Sequence, residues 1–261
     1  MILDKDTLSV VQSYFELEEI LIIYADDAKQ RDLLITKCKL PPLWKLIGDG
    51  KLLSVKYLID QLNFPVNEDV VHISIKADNL EIFEYIIHKF IEDDERWKLR
   101  NYFDYYIITY DSVNIYIKYL ENNIKSNDFP TAMEHRSFKI MKFLSTKVNI
   151  SNINIQNEIL CDDIVMIHKL HDLGYEFTEE HLQFASFQGM LDIVKYFISI
   201  GILPNTEILN FIISENNMEM VKFFIEFGIK PNDRTYRIIE NYDLTAIREY
   251  LSSKNLFKTN N

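Results

Sequence analysis

One short phrase recurs through the chain at nearly fixed spacing. Its clearest copies are Leu191–Ile198, reading LDIVKYFI, and Met218–Ile225, reading MEMVKFFI, each followed three residues later by a glycine, Gly201 and Gly228. A period of a few tens of residues marks a chain of small units, none of which can bury its apolar face alone. Taking Val194 as the anchor, the equivalent residues read as Val55, Phe83, Ile117, Met141, Ile167, Val194, Val221 and Ile247, with steps of 28, 34, 24, 26, 27, 27 and 26. The irregular steps flank Ile117 and predict an insertion before that copy. Apolar residues three before, at and three after each anchor, with a charge directly behind it, describe one buried face of a helix at 3.6 residues per turn.

A second, less regular apolar segment precedes each of these helices. Thr178, followed by Glu180 and His181, and Asn205, after Pro204, are helix starts. Gly201 and Gly228 suit the left-handed residue that ends a helix, and Pro204 and Pro231 cannot continue one. The repeating unit is therefore helix, turn, helix, link. Stacked neighbours bury what a lone pair cannot.

The stretch Gly189–Phe197, GMLDIVKYF, resembles the second helix of an ankyrin repeat, and Asn79–Phe83 and Asn217–Val221 are looser copies. The T-P-L-H opening of that family is replaced by Glu180–His181–Leu182–Gln183, and the period is shorter than the usual 33. The resemblance implies an all-α, ankyrin-like solenoid of about eight helix-turn-helix repeats of about 27 residues, with the β-hairpins reduced or absent. It spans residues 41–257; residues 1–40 read as an N-terminal helical cap or degenerate repeat whose helix starts at Asp6–Thr7, and 258–261 as a disordered tail. The chain is most similar to the short, divergent repeats of large DNA viruses of amoebae. That resemblance implies an intracellular protein, in the host cytoplasm if viral.

The end and the composition narrow the reading. Glu249, Ser252, Ser253 and Lys254 make the last copy polar, as a terminal repeat requires. A 48% hydrophobic content is far from that of a disordered chain, and the apolar run Ile20–Tyr24 is too short to span a bilayer. Two cysteines, Cys38 and Cys161, give no disulfide framework and read as small buried residues in a reducing compartment.

Catalytic and cofactor motifs are missing. Six glycines include no phosphate-cradling loop, and there is no nucleophile elbow or Cys-x-x-Cys pair. His168 and His171 are three apart on a helix, yet a metal needs further ligands, and His168 occupies a slot held by Lys142 and Lys195 in neighbouring copies. His171 stands where other copies have Ile198 and Ile225, which predicts that it is packed. The cationic slot after the anchor reads Lys118, Lys142, His168, Lys195, Lys222 and Arg248. Asp192 and Glu219 offset it, and a net charge of −12 opposes nucleic acid, so it reads as a solvated ladder. No enzyme activity, cofactor, metal, nucleic acid or membrane is expected.

What remains is a surface. Asn101–Tyr110, NYFDYYIITY, follows an acidic insertion, and a helix cannot bury all of its rings on one side. Trp97, Tyr102 and Tyr105 are the candidate protein-binding residues, because exposed aromatic rings favour interfaces. The function this implies is non-catalytic protein binding by a monomeric adaptor or effector that presents a curved surface of first helices. The alternative is a structural, self-associating particle component.

Overall fold

The computed structural model describes residues 17–23, 26–27, 35, 40–91 and 96–257, without the side chains of 23 and 96–102. The expected helix start at Asp6–Thr7, Cys38, the acidic run 92–95 and the tail 258–261 lie outside the described residues. The chain divides into two compact units, Met1–Thr146 and Lys147–Asn261. Among the described residues there are 17 α-helices and no strand.

In the first unit a lone helix, α1 (Leu17–Ile23), precedes four helix pairs: α2 (Leu43–Gly48) with α3 (Leu52–Asp60), α4 (Glu68–Ala77) with α5 (Leu80–Phe90), α6 (Arg96–Thr109) with α7 (Val113–Leu120), and α8 (Asp128–Glu134) with α9 (Phe138–Ser145). The second unit holds four more: α10 (Gln156–Leu160) with α11 (Ile164–Asp172), α12 (Glu179–Gln188) with α13 (Leu191–Ser199), α14 (Thr206–Ser214) with α15 (Met218–Phe227), and α16 (Asp233–Asn241) with α17 (Thr245–Ser253). Within each unit every first helix packs on the first helix of the next pair. Second helices pack likewise in α3 on α5, α7 on α9, α11 on α13 and α15 on α17, and α1 packs on α3. The core is the seam between these layers. Along the second helices the residues Val55, Met141, Ile167, Val194 and Val221 are fully buried.

A single left-handed residue closes each first helix and sets the register: Gly50, Asp78, Asp111, Arg136, Asp162, Gly189, Asn216 and Asp243, all at positive φ. The anchor is the fifth residue beyond it, where the backbone N–H begins the second helix's ladder by donating to the carbonyl four back, as in Phe83 to Asn79 and Val221 to Asn217. This count corrects two assignments. The anchor of the third pair is Tyr116, which is fully buried, and not Ile117, which is exposed. The anchor position of the last pair is Arg248, whose N–H donates to the Leu244 carbonyl, and not Ile247. Both errors have one physical source, because apolar periodicity passes over a large amphipathic side chain in favour of the aliphatic neighbour. The Tyr116 hydroxyl is not left unpaired. It donates to Asp128 Oδ2 at 2.6 Å, and the same carboxylate accepts from the Lys125 N–H at 2.9 Å. Burial and the Asp128 carboxylate together push this phenol well above its ordinary range.

Side chains cap several of the second helices, in two ways. At some junctions of the first unit the preceding helices supply the cap. Asp78 accepts from the N–H groups of Asn114 and Ile115 at 3.1 and 3.2 Å, and Asp111 from those of Lys139 and Ile140 at 3.1 and 2.9 Å. Glu18 of α1 does the same for Leu53 and Ser54 at 3.2 and 2.8 Å. Ser112 and Ser137 sit at the helix start and donate back to the Ile75 and Ile108 carbonyls. Elsewhere an asparagine caps its own helix: Asn79 accepts from Ile82, and Asn217 from Met220, each at 3.1 Å. There the left-handed residue of the previous pair is glycine. A Cβ on Gly50 would lie 3.3 Å from Asn79 Nδ2, and one on Gly189 3.0 Å from Asn217 Nδ2. Asp163 also caps its own helix, accepting from the Met166 N–H at 3.1 Å, and Met190 and Leu244 make no side-chain cap, so the pairing of aspartate with serine and of glycine with asparagine belongs to these junctions alone.

Two stability measurements check this scheme. Asp111→Ala lowers the stability read from urea unfolding by about 1 kcal/mol through loss of the cap, while Asp111→Asn keeps most of it. Gly189→Ala costs about 1–2 kcal/mol, the usual penalty of a side chain at left-handed φ, and the close approach to Asn217 adds to that figure.

Candidate functional site

Counting back six residues from the left-handed position gives Trp44 on α2, His72 on α4 and Tyr105 on α6, and these first helices pack in sequence. The three rings therefore occupy one column along a helix layer of the first unit. Trp44 is 61% exposed and Tyr105 48%, with His72 half-buried between them. Neither large ring is placed outward by chance of loop geometry; each sits on a helix at the same register position.

The column is braced from behind. The His72 ring meets Tyr106 edge-on at 4.0 Å between centroids, and His72 Nδ1 lies 3.3 Å from the Tyr110 hydroxyl. Tyr105 packs edge-on against Tyr106 at 5.4 Å, and its hydroxyl is 3.0 Å from His135 Nε2 at the end of α8. Below them Phe103 is buried against Phe90, and Asp104 pairs with Lys125 at 2.8 Å, so α6 is held on its inner side. The outcome is an outward row of aromatic bodies with hydroxyl and imidazole tips. Rings with few rotatable bonds lose little entropy on binding and combine apolar contact with a polar handle. Nothing in that arrangement activates a nucleophile or gathers paired carboxylates.

Of the three residues expected to bind a partner, Tyr105 is on this face. The side chains of Trp97 and Tyr102 lie outside the described residues, although both belong to α6. Trp44 escaped the sequence reading. Its neighbours Pro41, Pro42, Leu43 and Leu46 suggest the start of an ordinary buried helix, and only the count from Gly50 aligns it with Tyr105.

The opposite, second-helix side is occupied differently. With the register corrected, the slot after the anchor reads Lys56, Glu84, Ile117, Lys142, His168, Lys195, Lys222 and Glu249, so Lys118 and Arg248 leave the cationic series. The slot is mixed. Lys142 is exposed, and exposed Lys195 pairs with Asp192 at 3.2 Å as expected, while at three positions the side chain reaches the ring two beyond the anchor of the next pair: Lys56 lies 5.4 Å from the Tyr85 centroid, Lys222 lies 5.8 Å from that of Tyr250, and His168 stacks on Tyr196 at 4.0 Å. These are rungs between repeats, of the cation–π kind where the slot is lysine.

His168 and His171 converge on that same tyrosine. His171 Nδ1 is 2.6 Å from the Tyr196 hydroxyl, and the residue is exposed and not packed as its alignment with isoleucine predicted. Among the described residues no three His, Cys, Asp or Glu side chains come together as metal ligands, and no helix is long and apolar enough to cross a membrane. Cys161 is exposed, against the expectation of burial, because it follows the short helix α10 at a turn.

A scan of the chain against protein-family models finds no match, and a search of curated proteins finds none.

Exposure and packing separate cleanly in a mutational test. Trp44→Ala and Tyr105→Ala each leave urea stability within about 0.5 kcal/mol of the starting protein. Phe103→Ala, on the same helix as Tyr105 but 6% exposed, costs about 3–5 kcal/mol.

Proposed function

We propose that this chain is a non-catalytic protein-binding module, an ankyrin-like adaptor or effector that acts as an intracellular monomer. One observation carries the reading: Trp44 and Tyr105 stand exposed at equivalent positions on the first helices α2 and α6, with half-buried His72 of α4 between them, over a braced aromatic layer. A stack of packed helix pairs presents such a row without reorganising, so little binding energy is lost to ordering it. Trp97 and Tyr102, which also belong to α6, are further candidate partner-binding residues. The partner is a protein, since a net charge of −12 opposes nucleic acid. Similarity to repeat proteins of large DNA viruses of amoebae makes host proteins the natural targets.

A self-associating structural component is the rival reading, and it needs an open end to the stack. At the last pair the chain turns back over that end. Phe257 packs edge-on against Tyr236 at 5.2 Å, Arg248 lies 6.0 Å over the Phe257 ring, and the Tyr236 hydroxyl donates to the Leu256 carbonyl at 2.7 Å. Among the described residues, arginine at an anchor position and the ring of Phe257 cover part of that end, which weighs against it as an apolar face for another stack.

The test is affinity capture from host-cell lysate with the intact chain and a Trp44→Ala/Tyr105→Ala variant of unchanged circular dichroism. A protein held by the intact chain and lost by the variant is the expected result. The same proteins held by both would remove the aromatic face from the mechanism. Recovery of the chain alone, with a concentration-dependent mass in light scattering, would favour self-association.

A further inference from the structure

We infer that His181 is an acid-sensitive latch on the helix α12, holding it to the links on either side of the α10–α11 pair only while the imidazole is neutral. The geometry assigns both ring nitrogens. The Thr178 backbone N–H points at Nδ1 from 3.0 Å, and an N–H can only donate, so Nδ1 carries no proton. The Thr178 hydroxyl is 2.9 Å from the same atom. The remaining proton therefore sits on Nε2, 3.2 Å from the Tyr175 hydroxyl, whose own proton goes to the Ile153 carbonyl at 2.9 Å. One relay thus ties together Thr178 at the start of α12, Tyr175 in the link after α11, and Ile153 in the link before α10.

His181 occupies the third position of α12, where glutamate or glutamine ordinarily reaches back to the N-cap N–H. Unlike those residues it acquires a proton within reach of mild acid. A proton on Nδ1 turns an acceptor toward Thr178 into a donor, leaving two N–H groups facing each other with only Oγ1 able to rotate and accept. The new positive charge also lies in the first turn of a helix, where the backbone dipole opposes it. Burial holds this histidine below its ordinary value, with nearby Glu180 acting the other way.

The surrounding groups do not offer the proton a better partner. On α12 itself Glu179 is engaged by Asn205 and Glu180 is exposed. From α10 comes Glu158, whose carboxyl burial raises toward neutrality. The links contribute Tyr175 and exposed Glu176, and α11 contributes His171 through Phe177. α13 faces the ring cluster with Phe197, which packs on Phe177 at 4.8 Å. From α14, Glu207 is paired with Arg234.

The linkage has a definite sign. With the folded value lowered, the unfolded chain binds more protons in the window below about 6.5, so stability is full above that pH and is lost as pH falls. The experiment reads the amide protection of Thr178 and the thermal midpoint between pH 7.5 and 5.5, in the full chain and in His181→Gln, which preserves the cap without a titrating group. Protection at Thr178 and in the first turn of α12 should fall in the starting protein as pH drops below about 6.5, by at most about tenfold per pH unit, and stay level in the variant. An equal fall in both, or no fall in either, overturns the latch. Histidine nitrogen spectra of the unaltered protein at pH 7.5 give an independent decision. The Nε2-protonated tautomer is expected, and the Nδ1-protonated one overturns the assignment even if the variant fails to fold.

Discussion

Everything in this architecture hangs on a single residue of left-handed backbone between the two helices of each pair. It reverses the chain within one residue. It also places its side chain, or the space where one would be, against the start of a neighbouring second helix. Four N–H groups at a helix start need acceptors, and eight short second helices multiply that demand. Where the left-handed residue is Asp78 or Asp111, its carboxylate supplies them to the following helix, so the cap and the contact between pairs are the same interaction. Where it is Gly50 or Gly189, an asparagine supplies the cap locally, and the junction survives only because no Cβ is there. At the aspartate junctions capping and stacking are thereby coupled, and a pair cannot slide against the next without uncapping a helix.

The period and helix type were legible in the sequence, since burying one face of a helix every 3.6 residues leaves an aliphatic record that is hard to miss. Gly201 and Gly228 as left-handed ends, and Thr178 and Asn205 as starts, were equally legible, because few residue types suit those conformations. The register was less so. Tyr116 fills an anchor position with a ring that needs a hydroxyl partner, and the partner, Asp128, lies beyond the next turn where periodicity carries no information. Arg248 fills another, under the ring of Phe257. A polar residue at an anchor position is intelligible only once the group it meets is in view.

For the site, the excess of rings in α6 was visible as a count that one helix face cannot hold, and Tyr105 is where the surplus shows. Trp44 was invisible for the complementary reason. A lone tryptophan in a short apolar helix reads as core, and only the column it shares with His72 and Tyr105 marks it as surface. The cationic slot erred in the opposite direction. Read along one helix, a lysine per repeat looks like a charged face, but the rings that Lys56 and Lys222 reach belong to the following repeat and enter the sequence some 28 residues later.

That last point bears on where a ligand can go. On the second-helix side, Lys56 with Tyr85, His168 with Tyr196 and Lys222 with Tyr250 already spend their cations and rings on one another. A partner docking there must break contacts that hold the stack together, and gains only what exceeds them. On the first-helix side of the first unit the bracing is beneath the surface, in His72, Tyr106 and Phe103, and the exposed parts of Trp44 and Tyr105 are surplus to it. A partner covering those rings removes apolar area from water at about 25 cal/mol per Å² and leaves every inter-repeat contact in place. In the first unit the exposed parts of Trp44 and Tyr105 are thus free of that duty, and a partner can cover them without loss of stability.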